Sequence, residues 1–116
     1  MLEKRKNQRL KTLAKVRIPG ILDGESLLKD LSITGCRVEC TAYSAVKPEK
    51  IYQLEIIPEQ VAKVDNFTLE AEMKWIRSTG YSGEIGFNIV ASPKGRQFQR
   101  YVDYLVYRST LPETEK

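Results

Sequence analysis

Two clusters in this 116-residue chain hold residues suited to ligand chemistry. One is Arg5-Lys6-Asn7-Gln8-Arg9; the other is Asp30-Leu31-Ser32-Ile33-Thr34-Gly35. Arginine presents a planar, permanently charged fork that fits phosphate oxygens and the O6/N7 edge of guanine. Aspartate and serine hydrogen-bond neighbouring backbone or a ligand, and glycine lets another group approach the main chain closely. Arg5 and Arg9 stand four apart, so they share a face if the segment turns helically and point alike if it is extended. Joined on one patch, the clusters make a site for an anionic nucleotide. Taken singly, each has a plainer explanation. D-x-S-x-x-G also turns one strand into the next, and charged terminal stretches are usually just solvated.

Other chemistries find little support. The chain has no histidine, so nothing activates Ser32 as a nucleophile, and Asp30 close by is better placed to organise a turn. Carboxylates on the expected fourth and fifth strands alternate outward, as on a solvated face. An enzyme is therefore not expected, and neither is a zinc site. Cys36 and Cys40 lie four apart on one strand face, which separates them by roughly 13 Å. A disulfide needs Cα atoms about 4.4–6.8 Å apart, so both are expected to be core thiols.

The elements that must position these residues belong to one domain. Hydrophobic residues make up 41% of the chain and charged ones 29%, enough for a single core without metal or disulfide. The net charge of +4 favours an anionic partner. It is concentrated early: Lys4, Arg5, Lys6, Arg9, Lys11, Lys15 and Arg17 face only Glu3 within the first seventeen residues. No apolar run approaches the ~18–20 residues that span a membrane, and no apolar stretch follows Met1-Leu2-Glu3-Lys4 as in a secretory signal. The expectation is a cytoplasmic chain without membrane insertion.

A two-residue period recurs along the chain. It predicts strands at Ala14–Ile18, Ser26–Leu31, Cys36–Cys40, Tyr52–Ile56, Leu69–Trp75 and Ile85–Ile89, with turns at Pro19-Gly20 and Asp23-Gly24. Tyr52, Trp75 and Phe87 fall in the apolar phase and are expected in the core, with a place at the rim as the alternative for Trp75. After Ser92-Pro93, suited to a helix start, Phe98, Tyr101, Val102 and Leu105 follow at helical spacing on one face. The fold expected is mainly β: a small six-stranded antiparallel β-barrel, a C-terminal α-helix, and a flexible basic N-terminal arm. The divisions are 1–12 for the arm, 13–108 for barrel and helix, and 109–116 for a frayed tail.

In this order the motifs resemble a PilZ domain, the bacterial receptor module for cyclic di-GMP. Arg5 and Arg9 match its R-x-x-x-R. Asp30, Ser32 and Gly35 match its [DN]-x-S-x-x-G. Ala71–Arg77 and Gly83–Phe87 resemble its late strands. The resemblance runs from about Lys4 to Tyr107. It implies that Arg5 and Arg9 clamp the ligand and that Asp30 accepts from guanine N1 and N2. Ser32 would bond phosphate or base, and Gly35 would leave room and offer its N–H. Lys4 and Lys6 are further candidates, and Lys4 leaves open whether one or two ligand molecules bind. The mechanism implied is ordering of the arm over the ligand, read by an unidentified protein partner, with no other cofactor and no DNA or RNA. The competing expectations are a small basic barrel that binds single-stranded nucleic acid and a nucleotide-independent interaction scaffold.

Overall fold

A computed structural model describes residues 9–41, 47–78, 80, 82–91 and 96–111, with backbone alone for 22–24. Among the described residues, seven strands and a short 3-10 helix (Gln60–Ala62) precede one α-helix: β1 (Leu10–Lys11), β2 (Lys15–Ile18), β3 (Leu22–Leu31), β4 (Gly35–Cys40), β5 (Ile51–Ile57), β6 (Phe67–Ser78), β7 (Gly83–Ala91) and α1 (Gln97–Ser109). The ring runs β3-β2-β5-β6-β7-β4, and β4 pairs back onto β3 to close it. The result is the six-stranded antiparallel barrel expected, with one extra strand, β1, and the C-terminal helix. No helix among the described residues is long and apolar enough to cross a membrane.

The extra strand comes from the segment read as a loose arm. Leu10 pairs with Leu31 and Lys11 with Asp30, while Lys15 and Val16 pair further along the same strand with Leu27 and Ser26. Residues 10–18 thus run along one edge of β3, and β4 occupies its other edge. Leu10 is buried, so its side chain anchors this segment to the barrel. The Asp23-Gly24 turn is not formed; the chain reverses earlier, at Gly20 with φ +80°, and residues 23 and 24 continue β3. Gly20 adopts a left-handed conformation that costs glycine little.

Inward-facing side chains follow the strand alternation. One cross-strand layer stacks Leu10, Leu31, Cys36, Phe87 and Met73, all buried, through successive registers. Both cysteines are buried thiols outside any disulfide, as expected. Burial pushes the Cys36 thiol up to about 12, and the Asp30 charge adds to this.

α1 buries Tyr101, Val102 and Leu105, and the Phe67 ring meets Phe98 at 5.9 Å and Tyr101 at 6.0 Å. Each fully buried side chain of this kind contributes about 1.5–3 kcal/mol. The helix starts at Gln97 with Arg96 at its N-cap, which makes no side-chain capping bond. Ser92 and Pro93, expected to open it, lie outside the described residues.

Two irregularities decide the outer surface. The register shifts between Leu28 and Asp30 on β3, and again between Met73 and Trp75 on β6. A β-bulge inserts one residue and re-aims those that follow. After the first bulge Leu31 points inward and Asp30 points out. After the second, Met73 remains buried and Trp75 is turned outward, 42% exposed. The expectation of a core Trp75 is therefore corrected. Alternation alone carries it inside, and the extra residue Lys74 reverses the phase.

Candidate outer-face site

The bulges align one outward-facing row across five strands: Lys11 on β1, Asp30 on β3, Arg37 on β4, Gly86 on β7 and Trp75 on β6. At about 4.8 Å per strand, Asp30 and Trp75 are three intervals, or roughly 14 Å, apart. The next outward row holds Leu27, Glu39, Glu84 and Arg77.

Asp30 is the centre of the charge pattern. Its side chain is only 8% exposed, and each oxygen is paired with a different arginine. Arg9 NH1 donates to Oδ1 at 2.8 Å, and Arg37 NH2 lies 2.9 Å from Oδ2. A nearly buried carboxylate needs such partners, because one left unpaired carries a large desolvation cost. Arg37 continues the array: NH1 is 3.6 Å from Glu84 Oε1, and Arg77 NH2 donates to the same oxygen at 2.5 Å. The Arg77 hydrogen bond, aided by the charge of Arg37, holds the Glu84 carboxyl below its usual range. Cation and anion alternate along this line: Arg9, Asp30, Arg37, Glu84, Arg77.

Trp75 closes the row. Its indole lies across Gly86, so a Cβ at Gly86 would collide with the ring. Glycine inside a strand often marks such a close approach. Arg77 places Cζ 5.8 Å from the Trp75 ring centroid, within cation–π range. The ring is both held in place and partly open to solvent.

The D-x-S-x-x-G turn is built from within. Ser32 is buried, and its Oγ accepts from the N–H of Thr34 at 3.2 Å and of Gly35 at 3.1 Å. The Ser32 N–H donates to the Gly35 carbonyl at 2.8 Å. These bonds tie the turn that follows Asp30 to β4. Here the structure differs from two expected roles: the Ser32 hydroxyl is engaged inside its own turn, and the Gly35 N–H is given to Ser32. Gly35 does make room, but for protein. A Cβ there would lie 2.6 Å from the Phe87 carbonyl, which explains the glycine.

Of the residues expected to bind, Arg9 and Asp30 are in direct contact, and Ser32 and Gly35 shape the adjoining turn. Arg5, Lys4 and Lys6 lie outside the described residues. Arg9 meets Asp30 because Leu10 and Lys11 are paired strand residues, so the preceding residue is delivered to the start of the turn. Three residues of the site were not anticipated: Arg37, Trp75 and Arg77. For Arg37 a signal existed, since it falls in the outward phase two residues after Gly35. For Trp75 the only hint was Gly86, a glycine in the middle of a strand.

Chemically, the face offers a carboxylate acceptor, guanidinium donors on either side of it, and a flat aromatic surface. Its three guanidiniums, Arg9, Arg37 and Arg77, share two carboxylates, Asp30 and Glu84. Elsewhere Lys15 and Arg17 are likewise paired, with Glu25 at 3.2 Å and Glu55 at 3.5 Å. Among known proteins, no family model and no curated protein matches the chain.

Proposed function

We propose that the chain is a cyclic di-GMP receptor of the PilZ kind, which binds the dinucleotide on the outer face between Arg9 and Trp75. The observation that carries this reading is the Arg9–Asp30 ion pair at 2.8 Å. It joins the last residue of R-x-x-x-R to the first of D-x-S-x-x-G, across 21 residues of sequence. Asp30 is an acceptor for the N1 and N2 donors of guanine, and Arg9 is suited to phosphate and to a guanine edge. Arg5, four residues earlier in the sequence, completes the clamp, with Lys4 and Lys6 as further cations. Trp75 supplies a stacking surface for a base. Ser32 and Gly35 act through the shape of the turn.

The action is binding and ordering, not catalysis. The arm closes over the ligand and changes the surface that a partner protein meets, a population shift set by differential affinity. The cytoplasm is the compartment this reading assigns. Protection of residues 1–12 from hydrogen exchange rises with ligand; unchanged protection rejects the ordering step. Calorimetry of the full chain with cyclic di-GMP, against GTP and cyclic di-AMP, tests the reading itself. Binding of cyclic di-GMP alone, lost in Arg9→Ala, is the expected result, and it also gives the number of ligands per chain. No heat with cyclic di-GMP overturns it.

The outward Trp75 flanked by arginines also favours a second reading, a surface for single-stranded nucleic acid. The interleaved carboxylates weigh against it. Asp30 and Glu84 offset Arg37 and Arg77 locally, so a polyanion gains little on this face. A short oligonucleotide that displaces cyclic di-GMP at moderate salt would reverse that preference.

A further inference from the structure

We infer that Arg37 is the residue that positions Asp30 for guanine recognition, while Arg9 holds the other carboxylate oxygen only until a base edge replaces it. The inference rests on the cyclic di-GMP reading and adds a division of labour between the two cations on Asp30.

The two arginines make contacts of nearly equal length, 2.8 and 2.9 Å, but they are anchored very differently. Arg37 sits within β4, hydrogen-bonded to β3 on one side and to β7 on the other. Its guanidinium reaches Asp30 from one terminal nitrogen and approaches Glu84 from the other. Glu84 is itself held by Arg77. Rotation of Arg37 away from Asp30 would disturb both acids. Its side chain is 34% exposed, whereas that of Arg9 is 52% exposed. Arg9 precedes the two-residue β1 and has one ion pair among the described residues.

A carboxylate has about four acceptor sites on its two oxygens. Arg37 and Arg9 take one each, on opposite oxygens. The guanine N1–H and N2–H present two parallel donors. One site per oxygen stays open for them, and if Arg9 turns from Oδ1 toward ligand phosphate, the Oδ1 edge opens to the base while Asp30 keeps its charge partner. Were Arg37 absent, release of Arg9 would leave a nearly buried carboxylate with no cation. Ligand entry would then oppose that desolvation cost. Arg37 therefore makes exchange feasible and sets the plane in which Asp30 reads the base.

The test compares cyclic di-GMP with its inosine analogue, which lacks the exocyclic amino group, by calorimetry on the full chain. The wild-type chain is expected to prefer the guanine form by roughly tenfold or more, the scale of one hydrogen bond to a charged acceptor. In Arg37→Gln that preference falls toward parity. A role in stability alone would lower both affinities in proportion and leave the ratio intact. Arg37→Lys, which keeps a charge on Asp30 without spanning to Glu84, restores part of the ratio. Should Arg37→Gln fail to fold, Glu84→Gln decides. It removes the second tether and leaves both Asp30 contacts in place, and a reduced ratio is expected. A folded Arg37→Gln, or in its absence Glu84→Gln, with the full wild-type preference overturns the inference. A wild-type chain that binds neither dinucleotide rejects the functional reading first, a distinct outcome.

Discussion

Two acids in this molecule are arranged alike and differ in what they can do. Asp30 on the outer face and Glu59 beneath the helix are both largely shielded, and each has a partner at either carboxylate oxygen. Glu59 takes the Tyr101 hydroxyl at 2.6 Å on one oxygen and Arg108 NH1 at 2.9 Å on the other. Both donors belong to α1, and Arg108 also donates to the Lys11 carbonyl on β1. Every group there is fixed by the packing of the helix. At Asp30 one donor is equally fixed, Arg37, and the other is the half-exposed Arg9. The same pattern is a clamp where both partners are locked and a poised acceptor where one is free to move.

The sharpest break between them is expected from the two alanine variants. Asp30→Ala removes cyclic di-GMP binding, with a loss above about a hundredfold, as for more than one bond to a charged acceptor. Calorimetry reads this directly, and affinity within threefold of wild type would erase the distinction. Glu59→Ala has the opposite profile. It destabilises the fold by about 2–3 kcal/mol, because a buried phenol and a guanidinium lose their acceptor. Urea unfolding measures that loss, and affinity is unchanged. A larger unfolding effect from Asp30→Ala than from Glu59→Ala would invert the comparison.

Smaller effects sharpen it. Trp75→Ala lowers affinity by about 1–2 kcal/mol through lost stacking, without a matching loss of stability. A Trp75 fluorescence unresponsive to ligand would remove it from the site. Burial, followed by the hydrogen bond to Glu59, raises the Tyr101 phenol well above its ordinary value. The fold therefore favours the neutral phenol. Its contribution is intact below pH ~10, the unfolded value, and is lost as pH climbs beyond it. Tyr101→Phe flattens that alkaline limb in pH-dependent unfolding. Glu84 has the reverse sign, because its carboxyl is held low by Arg77. Its contribution is present above pH ~4.3 and fades as pH falls. Arg77→Gln makes the acid limb shallower, the smallest change of the set.

Much of the barrel was legible from alternation. Leu54, Ile56, Leu69 and Ile85 read as inward and are buried. Helical spacing likewise singled out Tyr101, Val102 and Leu105, the three residues α1 buries. What alternation could not reveal was a change of phase inside a strand. Trp75 was misplaced for that reason, and Asp30 owes its outward aim to the same kind of bulge. β1 was also missed, since two residues are too short for any period and pair only because β3 has a vacant edge.

The chain's own order of residues decided which groups are available: the arginines, the acid, the turn-forming serine and glycine, and the apolar phases that close a barrel. These are local matters, set by side-chain chemistry and by the two-residue repeat of a strand. Tertiary pairing decided which of them meet. Arg9 reaches Asp30 through the register of β1 on β3, and Arg37, Gly86 and Trp75 join the row because two bulges shift the strands by one residue. Such shifts depend on contacts between distant strands, so no stretch of sequence contains them on its own.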